Sequence, residues 1–257
     1  MARVFLLSPA NCGGERAQLL LSSRAGFPLA RQLRTAEGAR LGDVMSFVSG
    51  LYFRGKLAYA EAFGIPLVIT ADAGLRPADT PITLASLRAS ARVDIDAANP
   101  RYRRPLEESA RAVAALLKPD DSVTLLGSIA SDKYVNVLLA IFGDRLTFPL
   151  DFVGRGDMSR GGLLLRCVRA GEELPYAPVA GAVRHGTRPP RLARVHHTPA
   201  RAGGGGSGPG AAASWDPRVP SHVEDVRVGR VGDGAALAGP RPATGPARRA
   251  HRTGDSR

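Results

Sequence analysis

Four short apolar runs, at residues 3–7, 66–70, 122–126 and 146–150, each give way to a loop and then to a stretch with helical spacing. Their length suits buried strands, not helices. Parallel neighbours need a long return connection, usually a helix, so this alternation predicts a mostly parallel sheet with helices on both faces. The expected fold class is a three-layer α/β domain over residues 1–185. A last run at 174–179 is expected as an edge strand, because Pro175 and Pro178 lack the N–H that a central ladder needs. Helices are expected near residues 15–23, 28–34, 43–63, 83–89, 100–117, 131–142 and 158–169. In the third of these, Val44, Phe47, Val48, Leu51, Tyr52, Leu57, Ala58 and Ala62 recur at helical spacing, and Gly50 and Gly55 allow a break. Residues 71–80 are expected as a loop.

Composition changes sharply near residue 198. The last 60 residues hold 12 Gly and 7 Pro, a level typical of low-complexity chain. They also lack apolar runs that would offset the entropy of ordering. A disordered tail is expected at 198–257, joined by a basic arm at 186–197.

The net charge is +12: +8 in residues 1–197 and +4 in the tail. A basic excess favours anionic partners, such as a nucleotide or a nucleic acid. Arg outnumbers Lys by 32 to 3, which also fits a GC-rich genome. Two cysteines far apart, Cys12 and Cys167, form neither a disulfide framework nor a zinc pattern. The apolar run after Arg3 is too short for a signal peptide. No stretch reaches the roughly 18 apolar residues of a membrane span. The chain is therefore expected to be soluble and cytoplasmic, without membrane contact.

Loops at the carboxyl ends of strands in an open parallel sheet meet in one crevice, and four such loops carry the candidate site. The first holds Asn11, Cys12, Gly13 and Gly14. Its glycines allow close approach of a phosphate, and Cys12 stands before a helix, where a thiol pKa can fall. The second holds Asp72. The third holds Gly127, Ser128, Lys133 and Tyr134, a pattern suited to a phosphate or nucleoside. The fourth, residues 154–162, holds four glycines with Arg155, Asp157 and Arg160. Two arginines there suit bidentate binding of phosphate or carboxylate. Asp157 suits orientation of an arginine, contact with a sugar hydroxyl, or a helix cap. Asp94 and Asp96 alternate without the acidic neighbours a metal needs, so neither metal nor cofactor is expected.

Three stretches resemble those of a bacterial family that carries no known activity: residues 8–14 (SPANCGG), 49–56 (SGLYFRGK) and 152–162 (FVGRGDMSRGG). The likeness runs from Leu6 to about Leu192. A remoter resemblance rests on residues 71–75 (ADAGL), Pro77, Gly127, Tyr134, Pro149 and the glycine-rich loop. It points to the YaaA peroxide-stress proteins and to small proteins encoded beside deazaguanine-modification enzymes. That resemblance implies nucleic-acid or nucleobase handling.

The preferred expectation is a nucleotide- or nucleic-acid-binding α/β protein, with action at a nucleobase or glycosidic bond as its candidate activity. Asp72, Asp157 and Cys12 are the candidate catalytic residues. Asn11, Gly13, Gly14, Gly127, Ser128, Lys133, Tyr134, Arg155 and Arg160 are the candidate ligand-binding residues. Two alternatives stay open. One is a small-molecule enzyme with Cys12 as nucleophile; the other is a non-catalytic interaction protein. Sequence alone leaves open whether the protein is an enzyme, and its oligomeric state.

Overall fold

The computed structural model describes residues 3–190 and Leu192. The chain divides into two units, Met1–His197 and Thr198–Arg257, and the fold is that of the first. The expected tail, and Arg191 and residues 193–197 of the basic arm, lie outside the described residues.

In chain order the elements are β1 (Arg3–Leu7), α1 (Glu15–Leu21), α2 (Pro28–Gln32), β2 (Ala39–Arg40), α3 (Leu41–Ser49), α4 (Leu51–Phe63), β3 (Ile65–Ile69), β4 (Leu75–Pro77), β5 (Pro81–Ile82), α5 (Leu84–Ser90), α6 (Pro100–Leu116), β6 (Ser122–Leu126), α7 (Val135–Phe142), β7 (Leu146–Pro149), α8 (Asp157–Ala170) and β8 (Tyr176–Pro178). The main sheet has six strands in the order β4-β3-β1-β6-β7-β8. β1 pairs in parallel with β3 and with β6, placing Leu6 opposite Leu67 on one side and Leu125 on the other. β6 and β7 are also parallel. The two edges, β4 and β8, run antiparallel and contain the prolines Pro77 and Pro178, the place where a missing N–H is tolerated.

Successive β1 side chains point to opposite faces, which makes two cores. Phe5 and Leu7, with Val68 and Leu126, pack against Leu20 of α1, Val44 of α3, Phe53 of α4 and Leu164 of α8. Val4 and Leu6, with Val123 and Leu125, pack against Tyr102 and Leu106 of α6 and Leu138 of α7. The molecule is a three-layer α/β fold with a mostly parallel mixed sheet. Among the described residues, no helix is long and apolar enough to cross a membrane.

The periodic stretch 43–63 is two helices, α3 and α4, broken at Gly50, φ +70°, one of the two glycines expected to allow a break. Two local elements differ from expectation. α7 starts at Val135, not at residue 131, because residues before it are held in turns by Tyr134. The expected loop 71–80 contains β4, and β5 pairs with β2 in a separate two-stranded antiparallel sheet.

The helices α4 and α8 pack closely. A Cβ on Gly161 would stand 2.8 Å from Tyr52 Cα and 2.9 Å from Leu51 O, and one on Gly55 would stand 2.6 Å from Gly161 O. Only residues without a side chain permit this approach. It brings the residues next to each glycine, Lys56 and Arg160, into one neighbourhood.

Candidate functional site at the β1–β6 switch point

From β1 the chain crosses to β3 on one side, and then returns to β6 on the other. The carboxyl ends of β1 and β6 are therefore the topological switch point, where the loops of an open α/β sheet can hold a ligand. The loops after β3 and β7 leave the same end of the parallel sheet. The four segments expected to carry the site thus share one end of the fold.

Ser8 extends β1 by one residue, donating its N–H to Leu126 O at 3.2 Å. Tyr52 and Lys56 are four residues apart on α4 and so share a helix face. Lys56 is 1 % exposed. Its Nζ lies 2.8 Å from both Ser8 O and Ser8 Oγ, and 4.6 Å from the ring centroids of Tyr52 and Phe53. Among the described residues, no carboxylate oxygen lies within 4.0 Å of this nitrogen. Burial pulls the Lys56 pKa down to about 7; Asp157 opposes the fall and Arg160 adds to it. An ammonium in an apolar site is costly unless paired.

The β6 loop closes the other wall. Tyr134 Oη accepts the Ser128 N–H at 3.1 Å and is 3.2 Å from Ser128 O. A Cβ on Gly127 would stand 2.8 Å from Ser8 Cβ and 2.9 Å from Tyr134 Oη, so glycine is what lets the two loops touch. Burial raises the Tyr134 pKa, while the Ser131 hydroxyl, the Ser128 backbone and the Ser8 hydroxyl oppose the rise. Ser8 thus lies between Lys56 and Tyr134. The Tyr52 hydroxyl is buried without a well-aligned hydrogen-bond partner. Burial raises its pKa too, with the Arg160 guanidinium opposing.

Arg160 rises from the first turns of α8. Its Nε and Nη2 donate to Phe152 O at 3.2 and 2.9 Å, and its Nη1 reaches Asp157 Oδ1 at 3.4 Å. Three of its five N–H groups are thereby used. The side-on edge holds the backbone turn before α8, and the guanidinium also hydrogen-bonds the Tyr52 hydroxyl. The Arg160 side chain is 11 % exposed and that of Asp157 is 70 % exposed. Arg155 takes another direction, with Nη1 3.4 Å from Ser159 Oγ. Its Nε is buried without a partner.

The remaining expected residues have more local roles. Asn11 Oδ1 accepts the Gly13 N–H at 3.0 Å, and the Gly14 N–H reaches Asn11 O at 3.3 Å, so this loop closes on itself. Cys12 is buried, with Sγ 3.7 Å from Ala10 O and 4.0 Å from Met45 Sδ. Burial, reinforced by Asp72, pushes its thiol up to about 12. That environment is opposite to the one that activates a thiolate. Asp72 accepts a hydrogen bond from Ser90 Oγ at 2.6 Å. Lys133 is exposed.

Ser8, Tyr52 and Lys56 are the residues sequence reasoning did not single out. Two signals were available. Lys56 is one of three lysines in the chain, and it stands one turn beyond Tyr52 within the apolar stripe of α4. A surface groove of about 540 Å³ between α6 and α7 includes none of these three residues.

No protein-family model matches the chain, and comparisons with curated proteins and with solved structures give no match.

Proposed function

We propose that this protein binds a phosphate-bearing ligand, a nucleotide or a nucleic acid, in the β1–β6 crevice. One observation carries the reading: the buried Arg160 guanidinium, with the buried Lys56 amine in its neighbourhood, has among the described residues only the exposed Asp157 as an ion-pair partner. Buried positive charge without matched carboxylates favours an anion. The Arg160 guanidinium, fixed by its other bonds, suits an oxygen of a phosphate. The N-terminus of α8 adds positive potential at the same place. Ser128 and Tyr134 supply polar groups for the rest of the ligand. A cytoplasmic location, expected from the sequence, belongs to the same reading. The buried, elevated Cys12 thiol weighs against the alternative in which it is the nucleophile.

Thermal melts test the proposal with pyrophosphate, a mononucleotide and a single-stranded oligonucleotide. A ligand at 100 times its dissociation constant should stabilise the wild type by about 2.7 kcal/mol. Asp157→Asn removes the carboxylate that competes for Arg160, so it should bind pyrophosphate several-fold more tightly. A steep fall of affinity with salt would identify a nucleic-acid backbone, and a shallow one a single nucleotide. If none of the three anions raises the melting temperature of the wild type, the reading fails.

A further inference from the structure

We propose that Ser8 is a nucleophile, with Lys56 as its proton acceptor, for hydrolysis of a phosphoester. The arrangement is that of a buried serine–lysine pair. The Nζ–Oγ distance of 2.8 Å is within direct proton-transfer reach. The second Nζ contact, to Ser8 O at 2.8 Å, fixes the amine against the residue it serves. Among the described residues no carboxylate lies within 4.0 Å of Lys56 Nζ, and Asp157 favours its charged form only from farther away. Burial brings its pKa to about 7, so a large share of the amine is neutral near neutral pH. The groups facing it are Ser8 from β1, Tyr52 on its own helix, and Asp157 and Arg160 from α8. The Tyr134 hydroxyl faces Ser8 from the β6 side.

Ser8 retains 7 % exposure, at the end of β1 that opens to the crevice. The Tyr52 hydroxyl, buried there beside the Arg160 guanidinium, can donate its own proton to an oxygen of a bound group. The phosphoester class rests on the anion-binding reading above; the nucleophile does not.

Ser8 Oγ attacks phosphorus while its proton passes to neutral Lys56 Nζ. The bond from phosphorus to the leaving oxygen breaks, and that oxygen takes the proton from the Lys56 ammonium, departing as an alcohol. Water then attacks the phosphoserine and gives a proton to Nζ. The Oγ–P bond breaks, and Ser8 recovers its proton from Lys56. The net change is phosphoester plus water to phosphate plus alcohol.

A neutral fluorophosphonate tests the nucleophile without calling on the anion site. Incubated with the full chain, it should displace fluoride at Ser8 alone, as located by peptide mass spectrometry. The labelling rate should rise with pH through about 7 as Lys56 loses its proton. Ser8→Ala should abolish the adduct, and Lys56→Met should slow it at least 100-fold. The wild-type site and pH profile are informative even if a variant folds poorly. An unlabelled wild type, an adduct elsewhere, or a Lys56→Met rate equal to wild type overturns the nucleophile. Bis(4-nitrophenyl) phosphate tests the substrate class: turnover that disappears in Ser8→Ala supports it, and no turnover by a protein that labels at Ser8 overturns it. Binding of pyrophosphate in the thermal melts is independent of either failure, so the two readings fall separately.

Discussion

Lys56→Met should change the pH dependence of stability, by about 2 kcal/mol between pH 7 and pH 8.5 relative to wild type. In the folded chain, Lys56 titrates at about 7; unfolded, a lysine titrates near 10.4. Below pH 7 both states carry the proton, and the fold bears the full cost of the buried ammonium. Above pH 7 the native amine is neutral while the unfolded one stays charged, so the unfolded state binds more protons. Stability must then rise with pH at up to about 1.36 kcal/mol per pH unit, until the unfolded lysine titrates as well. Methionine fills similar space and carries no charge. The variant should therefore be the more stable protein at pH 6, and lose that advantage as pH rises. Urea denaturation of both proteins at pH 6, 7, 8 and 8.5 measures the difference, and the comparison cancels groups common to both. Cys12 makes this cancellation necessary, since its raised thiol pKa removes stability at alkaline pH, the opposite sign. Parallel curves for the two proteins would show that Lys56 keeps an ordinary pKa in the fold.

The neighbouring glycines of α8 should respond in opposite directions to the same substitution. Gly161→Ala places a methyl 2.8 Å from Tyr52 Cα and 2.9 Å from Leu51 O. Both are backbone atoms of α4, so no side chain can turn aside. The helices must separate, at a cost of about 1–3 kcal/mol. Gly162→Ala meets only Leu192 Cδ1, at 3.7 Å, which is ordinary contact. Alanine there gains the helix propensity that glycine lacks, and should stabilise by about 0.5–1 kcal/mol. Chemical denaturation of the two variants side by side checks both signs. A Gly161→Ala protein as stable as wild type would refute the close α4–α8 approach. Because Lys56 and Arg160 adjoin the two contacting glycines, Gly161→Ala should also weaken any anion-dependent thermal shift, whereas Gly162→Ala should leave it unchanged.

The strands were legible because their signal is local. Residues 3–7 and 122–126 are short apolar runs bounded by breakers, and β1 and β6 occupy those same bounds. β4 was not legible: Leu75, Arg76 and Pro77 look like loop, and they form a strand only because Leu67–Ile69 offer them a sheet edge. The start of α7 was misplaced for a similar reason. Ser131 is a good capping residue, but the bonds between Tyr134 Oη and the Ser128 backbone hold these residues in turns. In the site, the loops could be found from element order alone, since a parallel sheet puts them at one end. Lys56 could not. A lysine on a helix is normally solvated at its tip, and its burial depends on Ser8, 48 positions away, and on α8. Cys12 misled because position before a helix suggests activation, whereas packing on Met45 and nearby Asp72 decides its chemistry.

The contact between α4 and α8 also has a consequence for the order of events during synthesis. The site draws on residues 8, 52, 56, 128, 134, 157 and 160, so its parts leave the ribosome in a fixed sequence, with α8 last. Until α8 emerges, the face of α4 that holds Gly55 lacks the helix that covers it, so the burial that lowers the Lys56 pKa is incomplete. Contacts of such long sequence separation form late, because the loop entropy must be overcome first. Docking of α8 then brings a guanidinium towards an ammonium still carrying its proton. Release of that proton to solvent would accompany the docking step at neutral pH. The closing stage of folding should therefore be faster at pH 8.5 than at pH 6, and a nascent chain lacking α8 should show no such dependence.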